Sequence, residues 1–97
     1  ANPYIAYAAG IAAGLEGIRE RIEPGDMFEG DIYAARSLPQ IPSTLRKAIT
    51  RFGKSEVAHR AFGADVHAHL LRFAQYEQEA FDAVVTSWER ARYFERA

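Results

Sequence analysis

Asn2-Pro3-Tyr4-Ile5-Ala6-Tyr7-Ala8-Ala9-Gly10-Ile11-Ala12-Ala13-Gly14-Leu15-Glu16-Gly17-Ile18 opens the chain and decides its fold. Asn2 is a good N-cap, and Pro3 suits the first helical position, where an N–H would have no intrahelical partner. On a 3.6-residue period Tyr4, Tyr7, Ile11, Leu15, Ile18 and Ile22 share one face, and Ala6, Gly10, Ala13 and Gly17 share the opposite one. No charge precedes Glu16, so the first turns have no solvent side. Glycine inside a helix costs roughly 0.5–1 kcal/mol relative to alanine, and close approach of another backbone offsets that loss. A helix that is apolar all round is buried in a large protein or a membrane. This stretch therefore predicts a helix covered on two sides, in a chain too short to cover both. The large face is expected to pack on the later helices, leaving the small face for a layer outside these residues.

Length and composition agree with a piece of something larger. Ninety-seven residues make one domain at most and bury a modest share of their surface. The start at Ala1, without methionine and with a helix cap following at once, is that expected of a fragment, although methionine removal gives the same start. Twelve basic and thirteen acidic residues, with no long run of either sign, argue against general nucleic-acid binding, which needs a basic face to displace counterions. The absence of cysteine excludes disulfides and thiolate chemistry and fits a cytoplasmic protein.

Membrane and targeting readings fail on length. The apolar run from Pro3 to Leu15 is shorter than the roughly 20 residues that span a bilayer, and Glu16, Arg19, Glu20 and Arg21 follow it in the same helix. It has no basic leader of the kind a signal peptide carries. The Gly10-x-x-x-Gly14 spacing means little outside a long apolar segment.

The chain divides into a buried helix over 1–23, a connection over 24–42 and helices over 43–97. The first helix is expected to stop before Pro24-Gly25, a strong punctuation. The connection holds three prolines and no sustained period, with a short turn near Asp31-Ile32-Tyr33, and Met27, Phe28, Ile32 and Tyr33 are expected to anchor it. Ser43 is expected to cap a second helix with Leu45, Ala48, Ile49 and Phe52 on its apolar face, ended by Gly53. Ser55 caps a third, ended by Gly63. Asp65 caps a fourth, whose stripe is Val66, Leu70, Phe73, Ala80, Phe81 and Val84. Thr86-Ser87-Trp88-Glu89 spells a capping box and starts a fifth helix running to about Glu95. No run of period two is long enough for a strand. The fold class is all-α, with about five helices.

Candidate chemistry is sparse. His67 and His69, at i and i+2, point about 200° apart on a helix and cannot share a metal unless His59 swings in. Glu77 falls inside the apolar stripe between Phe73 and Phe81, so it is expected to have a cationic or amide partner, a structural pair being favoured over a catalytic acid. Arg90, Arg92 and Arg96 mix with Trp88, Tyr93 and Phe94, but Glu89 and Glu95 interrupt them, and a docking helix fits better than a nucleic-acid site. No glycine-rich phosphate loop follows a strand. The sequence offers no catalytic, cofactor-binding or metal residue.

The opening segment from Ala1 to Ile18 closely resembles a stretch of the glutamine synthetase superfamily that opens its C-terminal helical region. The resemblance continues through Pro24-Gly25, Leu38-Pro39, Pro42-Ser43, the run from Ser55 to Gly63, the Glu77 to Phe81 helix and Thr86-Ser87-Trp88-Glu89-Arg90, covering essentially the whole chain. It implies an ATP-dependent carboxylate–amine ligase that phosphorylates the γ-carboxylate of glutamate and lets ammonia or another amine displace phosphate, with Mg²⁺ or Mn²⁺ holding the phosphates. The family's metal, ATP and glutamate residues lie in a β-rich portion before Asn2, and none maps onto this sequence. Its members assemble as stacked homo-oligomeric rings. The Thr86 to Ala97 ending is similar to the members that glutamylate polyamines or other amines.

The expected role is thus scaffold and assembly within such a ligase, with the remainder of the parent chain as first partner and no nucleic acid or membrane. The alternative is a standalone helical interaction module without ligase activity. A small closed core with polar outer faces favours the module, and a wide apolar surface left on the first helix favours the fragment.

Overall fold

The computed structural model describes residues 2–35, 38–94 and 96. Five helices follow in order: α1 (Pro3–Arg19), α2 (Leu45–Gly53), α3 (Glu56–Phe62), α4 (Ala64–Asp82) and α5 (Ser87–Tyr93). No strand occurs among the described residues. The chain is all-α.

Local chemistry explains most of the boundaries. Asn2 Oδ1 accepts from the amides of Tyr4 at 3.0 Å and Ile5 at 3.5 Å, with Pro3 opening the first turn. α1 ends at Arg19, short of the expected Glu23, because the chain closes its own cap. Arg21 takes φ +51°, the Ile22 amide donates to Gly17 O, and the Arg21 amide donates to Ile18 O. That is the Schellman arrangement, with arginine where glycine is usual. Thr44, not Ser43, caps α2: its backbone is extended and its Oγ1 accepts from the Lys47 amide at 3.2 Å, three residues on. Ser55 caps α3 through the Ala58 amide at 3.1 Å, as expected, and Gly63 ends it at φ +77°. That same glycine turns the chain directly into α4. Asp65 therefore lies inside the first turn, where its charge suits the helix dipole, and does not cap. In α5 the Thr86 hydroxyl accepts from the Glu89 amide, and Glu89 accepts from the Thr86 amide at 2.8 Å, completing the capping box. The expected extension to Glu95 lies outside the described residues.

α2 and α3 pack on α4, and α1 touches the rest through α3. The inner face of α4 is His67, Leu70, Leu71, Ala74, Gln75 and Gln78. Of the expected stripe Leu70 faces inward, whereas Val66, Phe73, Ala80, Phe81 and Val84 are exposed, rotated about 100° from the inner face on a 3.6-residue period.

A second correction concerns α1. Its large face does not pack on the later helices: Tyr4 is 83 % exposed, and Tyr7, Ile11, Leu15, Ile18 and Ile22 are exposed as well. The connection is likewise unpinned. Asp31 Oδ1 accepts from the Tyr33 amide at 2.9 Å and forms the expected turn, yet Met27, Phe28, Ile32 and Tyr33 anchor nothing.

No hydrophobic residue among those described is buried. The radius of gyration is 18.3 Å, against about 13 Å for a closed domain of this length. The accessible surface of 8953 Å² is roughly 1.6 times that of a folded monomer of this size. The helices leave most of their apolar surface exposed.

Candidate functional site

α1 presents the largest unpartnered surface. A Cβ placed on Gly10, Gly14 or Gly17 meets nothing within 4 Å, so the small face is as open as the large one. Contact with α3 lies along one edge of the large face, where Leu15, with Ala12, Glu16 and Arg19 beside it, approaches Val57, Arg60 and Ala61. Glu16 is the polar tie there. Its side chain is 13 % exposed and pairs with Arg19 at 2.9 Å and with Arg60 of α3. Two guanidiniums on one half-sheltered carboxylate fix how α1 leaves the other helices.

The junction of α2, α3 and α4 centres on His67, which is 6 % exposed. Its Nε2 lies 2.9 Å from the Phe52 carbonyl oxygen, its ring stacks on Phe52 at 4.6 Å, and the His59 ring meets it edge-on at 5.4 Å. The histidines that come together are His59 and His67, while His69 is exposed on another side of α4. No group of three or more metal-ligating side chains occurs among the described residues. The sequence carries no local signal for the Phe52–His67 pairing, fifteen positions apart.

Further out, Arg46 Nη2 donates to both Asp82 oxygens at 2.7 and 2.9 Å, and Gln78 Nε2 donates to the same carboxylate at 2.8 Å. The Arg46 hydrogen bonds, then that of Gln78, hold the Asp82 carboxyl below its ordinary range. The Thr86 amide, then its hydroxyl, lower Glu89 in the same way. These carboxylates are occupied in joining and capping helices.

Glu77 departs from expectation. It is exposed and has no ion-pair partner among the described residues, because α4 turns that stripe outward. The aromatic C-terminus behaves as a surface: Trp88 and Tyr93 meet edge to face at 6.4 Å, and both are exposed beside Arg90 and Arg92. Glu95, expected to interrupt this basic set, lies outside the described residues. No helix is long and apolar enough to cross a membrane. What the described residues present is an exposed apolar surface, in which helix faces stand on an ion-paired and histidine-centred frame.

The family model described as glutamine synthetase, catalytic domain, matches residues 1–93. The gamma-glutamylethanolamide synthetase of Streptomyces coelicolor is 45 % identical over 95 residues, covering 98 % of this chain and 20 % of that protein. The glutamine synthetase of Methanosarcina mazei is 34 % identical, covering 95 % of this chain and 22 % of its own length. That of Rhizobium leguminosarum is 37 % identical, covering 92 % and 21 %. The chain thus spans about a fifth of the length of these relatives. By the match over residues 1–93, it belongs to the glutamine synthetase catalytic-domain family.

Proposed function

We propose that this chain is the C-terminal helical part of an ATP-dependent ligase that joins the γ-carboxylate of glutamate to an amine, and that its own role is scaffold and assembly. The observation that carries the reading is α1, open on its large and small faces alike. Burying apolar surface is worth about 25 cal/mol per Å², so faces of this size call for a covering layer. The remainder of the parent protein, about four times this chain's length in that relative, is the layer we assign to them. A standalone interaction module would close a core of its own, and no hydrophobic residue described here is buried.

ATP and Mg²⁺ or Mn²⁺ belong, on this reading, to the remainder of the ligase. Glu16, Asp82 and Glu89 are engaged by Arg60, Arg46 and Thr86, and they lie on separate helix contacts. No catalytic step is therefore assigned to this chain. For the amine we favour a polyamine or another small amine over ammonia alone, supported by the 45 % identity to an enzyme named for ethanolamide synthesis. Assembly as a cytoplasmic homo-oligomer completes the proposal.

A chimera tests it. The matching C-terminal fifth of the Streptomyces coelicolor relative is replaced by this chain, and phosphate release is measured with glutamate, ATP, Mg²⁺ and ethanolamine. The chimera should turn over and this chain alone should not. A soluble, assembled chimera without turnover, or turnover by the chain alone, would overturn the reading.

A further inference from the structure

α1 is held near one end. It meets the other helices chiefly through α3, and that contact lies towards its C-terminus, where Leu15, Glu16 and Arg19 approach Val57, Arg60 and Ala61. Glu16 stands thirteen positions from Pro3, the first residue of the helix. At a rise of about 1.5 Å per residue, the N-terminus of α1 lies about 20 Å from this tie.

Of the groups at the contact, Glu16 is the one that sets a direction. Apolar burial is non-directional, so Leu15 beside Val57 holds α1 close without fixing its angle. The small face of α1, made of Ala6, Gly10, Ala13 and Gly17, carries no side chain large enough to lock into a groove. A carboxylate between two guanidiniums is directional. Arg19 Nη2 lies 2.9 Å from Glu16 Oε2, and Arg60 Nη2 donates to Oε1. Arg60 is steadied in turn by Glu56, one turn earlier in α3, at 3.7 Å. The neighbouring His59 ring seats α3 edge-on against His67, whose Nε2 lies 2.9 Å from the Phe52 carbonyl oxygen of α2. The tie thus refers the angle of α1 to the α2–α4 frame.

We propose that Glu16, through Arg60, is a positioning residue of the ligase, setting the tilt of α1 against the layer that covers it. The inference rests on the ligase reading given above. A tilt of about 3° at Glu16 carries the far end of α1 by about 1 Å. Displacing reacting groups by about 1 Å costs on the order of 10²-fold in rate, even when the cause lies far from the chemistry. Neither Glu16 nor Arg60 is assigned contact with substrate; they act through α1.

The test uses the chimera of the Streptomyces coelicolor relative with this chain, and reads phosphate release and assembly together. Arg60→Ala is the main variant, since the Arg60 side chain is half exposed and its removal opens no core. It should lower kcat ~tenfold or more, with KM for glutamate and ethanolamine within about twofold and assembly unchanged, because misalignment acts on kcat whereas a lost binding contact raises KM. Glu16→Gln, which keeps the shape and loses the charge, should do the same, and the two together should cost no more than either alone. Glu20→Ala, which removes an exposed pair with Arg19, should leave kcat unchanged. Unchanged kcat in Arg60→Ala, additive losses, a rise in KM alone, or a loss that accompanies failed assembly would each overturn the inference and leave the ligase reading intact. An unsubstituted chimera without turnover would overturn the ligase reading and the inference with it.

Discussion

His67 Nε2 lies 2.9 Å from the Phe52 carbonyl oxygen while the two side-chain rings stack at 4.6 Å. One residue of α4 thereby closes the C-terminus of α2 and fills the space between the two helices. A helix end needs partners for its last carbonyls, and this one takes a ring N–H from a different helix. Replacement of His67 by alanine should destabilise the α2–α4 contact by ~1–2 kcal/mol through lost stacking and hydrogen bonding. Urea unfolding followed by circular dichroism measures it, and a change no larger than that of His69→Ala would mean that the stack contributes nothing.

Glu16 is the corresponding tie for α1. A double-mutant cycle on Glu16→Ala and Arg60→Ala should give a coupling of about 0.5–1 kcal/mol, since one partner is sheltered and the other half exposed. Glu20→Ala, at an exposed pair with Arg19, should cost less than Glu16→Ala in the same unfolding experiment.

Arg21 holds a left-handed conformation at φ +51°. Residues with a Cβ lose roughly 1 kcal/mol there, and glycine avoids the loss. Arg21→Gly should raise the thermal midpoint of α1, read by helical circular dichroism, and Arg21→Val should lower it. A drop with glycine would show that the arginine side chain contributes more than its backbone strain costs.

The caps explain what was legible in the sequence. Asn2, Ser55 and the Thr86–Glu89 box act on amides two or three residues away, and Gly63 ends α3 through its own positive φ, so their chemistry is local and readable. Ser43 against Thr44, and Asp65 against Gly63, show the limit: adjacent candidates compete, and backbone geometry chooses. The inward side of α4 was not legible. Period analysis follows the largest apolar residues, and here Val66, Phe73 and Phe81 face away from α2 and α3. The same holds for Glu16 with Arg60, 44 positions apart, and for His59 with His67: neither separation leaves a trace in local pattern.

Glu89 gives a prediction in pH. Its folded-state carboxyl is held below the ordinary glutamate range by the Thr86 amide and hydroxyl. A depressed folded value means that its stabilising contribution is complete above the unfolded-state value and disappears as pH falls through the folded one. The Thr86 amide resonance should therefore shift with a midpoint below that of an unpaired glutamate, and α5 should fray in that acid range. Glu89→Gln should remove the pH dependence of α5. An ordinary midpoint at Thr86 would show that the capping box does not persist in solution.

On the proposed function, the faces of α1 are covered by the rest of a ligase. Gly10→Leu probes this, because a Cβ at this position meets nothing within 4 Å among the described residues. The measurement compares ethanolamine-dependent phosphate release by the chimera with and without Gly10→Leu, alongside the helical content of the chain alone. The account predicts at least a tenfold loss of turnover or loss of assembly in the chimera, as overpacking against a close neighbour produces, and unchanged or higher helical content in the chain alone. A Gly10→Leu chimera as active and as well assembled as its parent would contradict it.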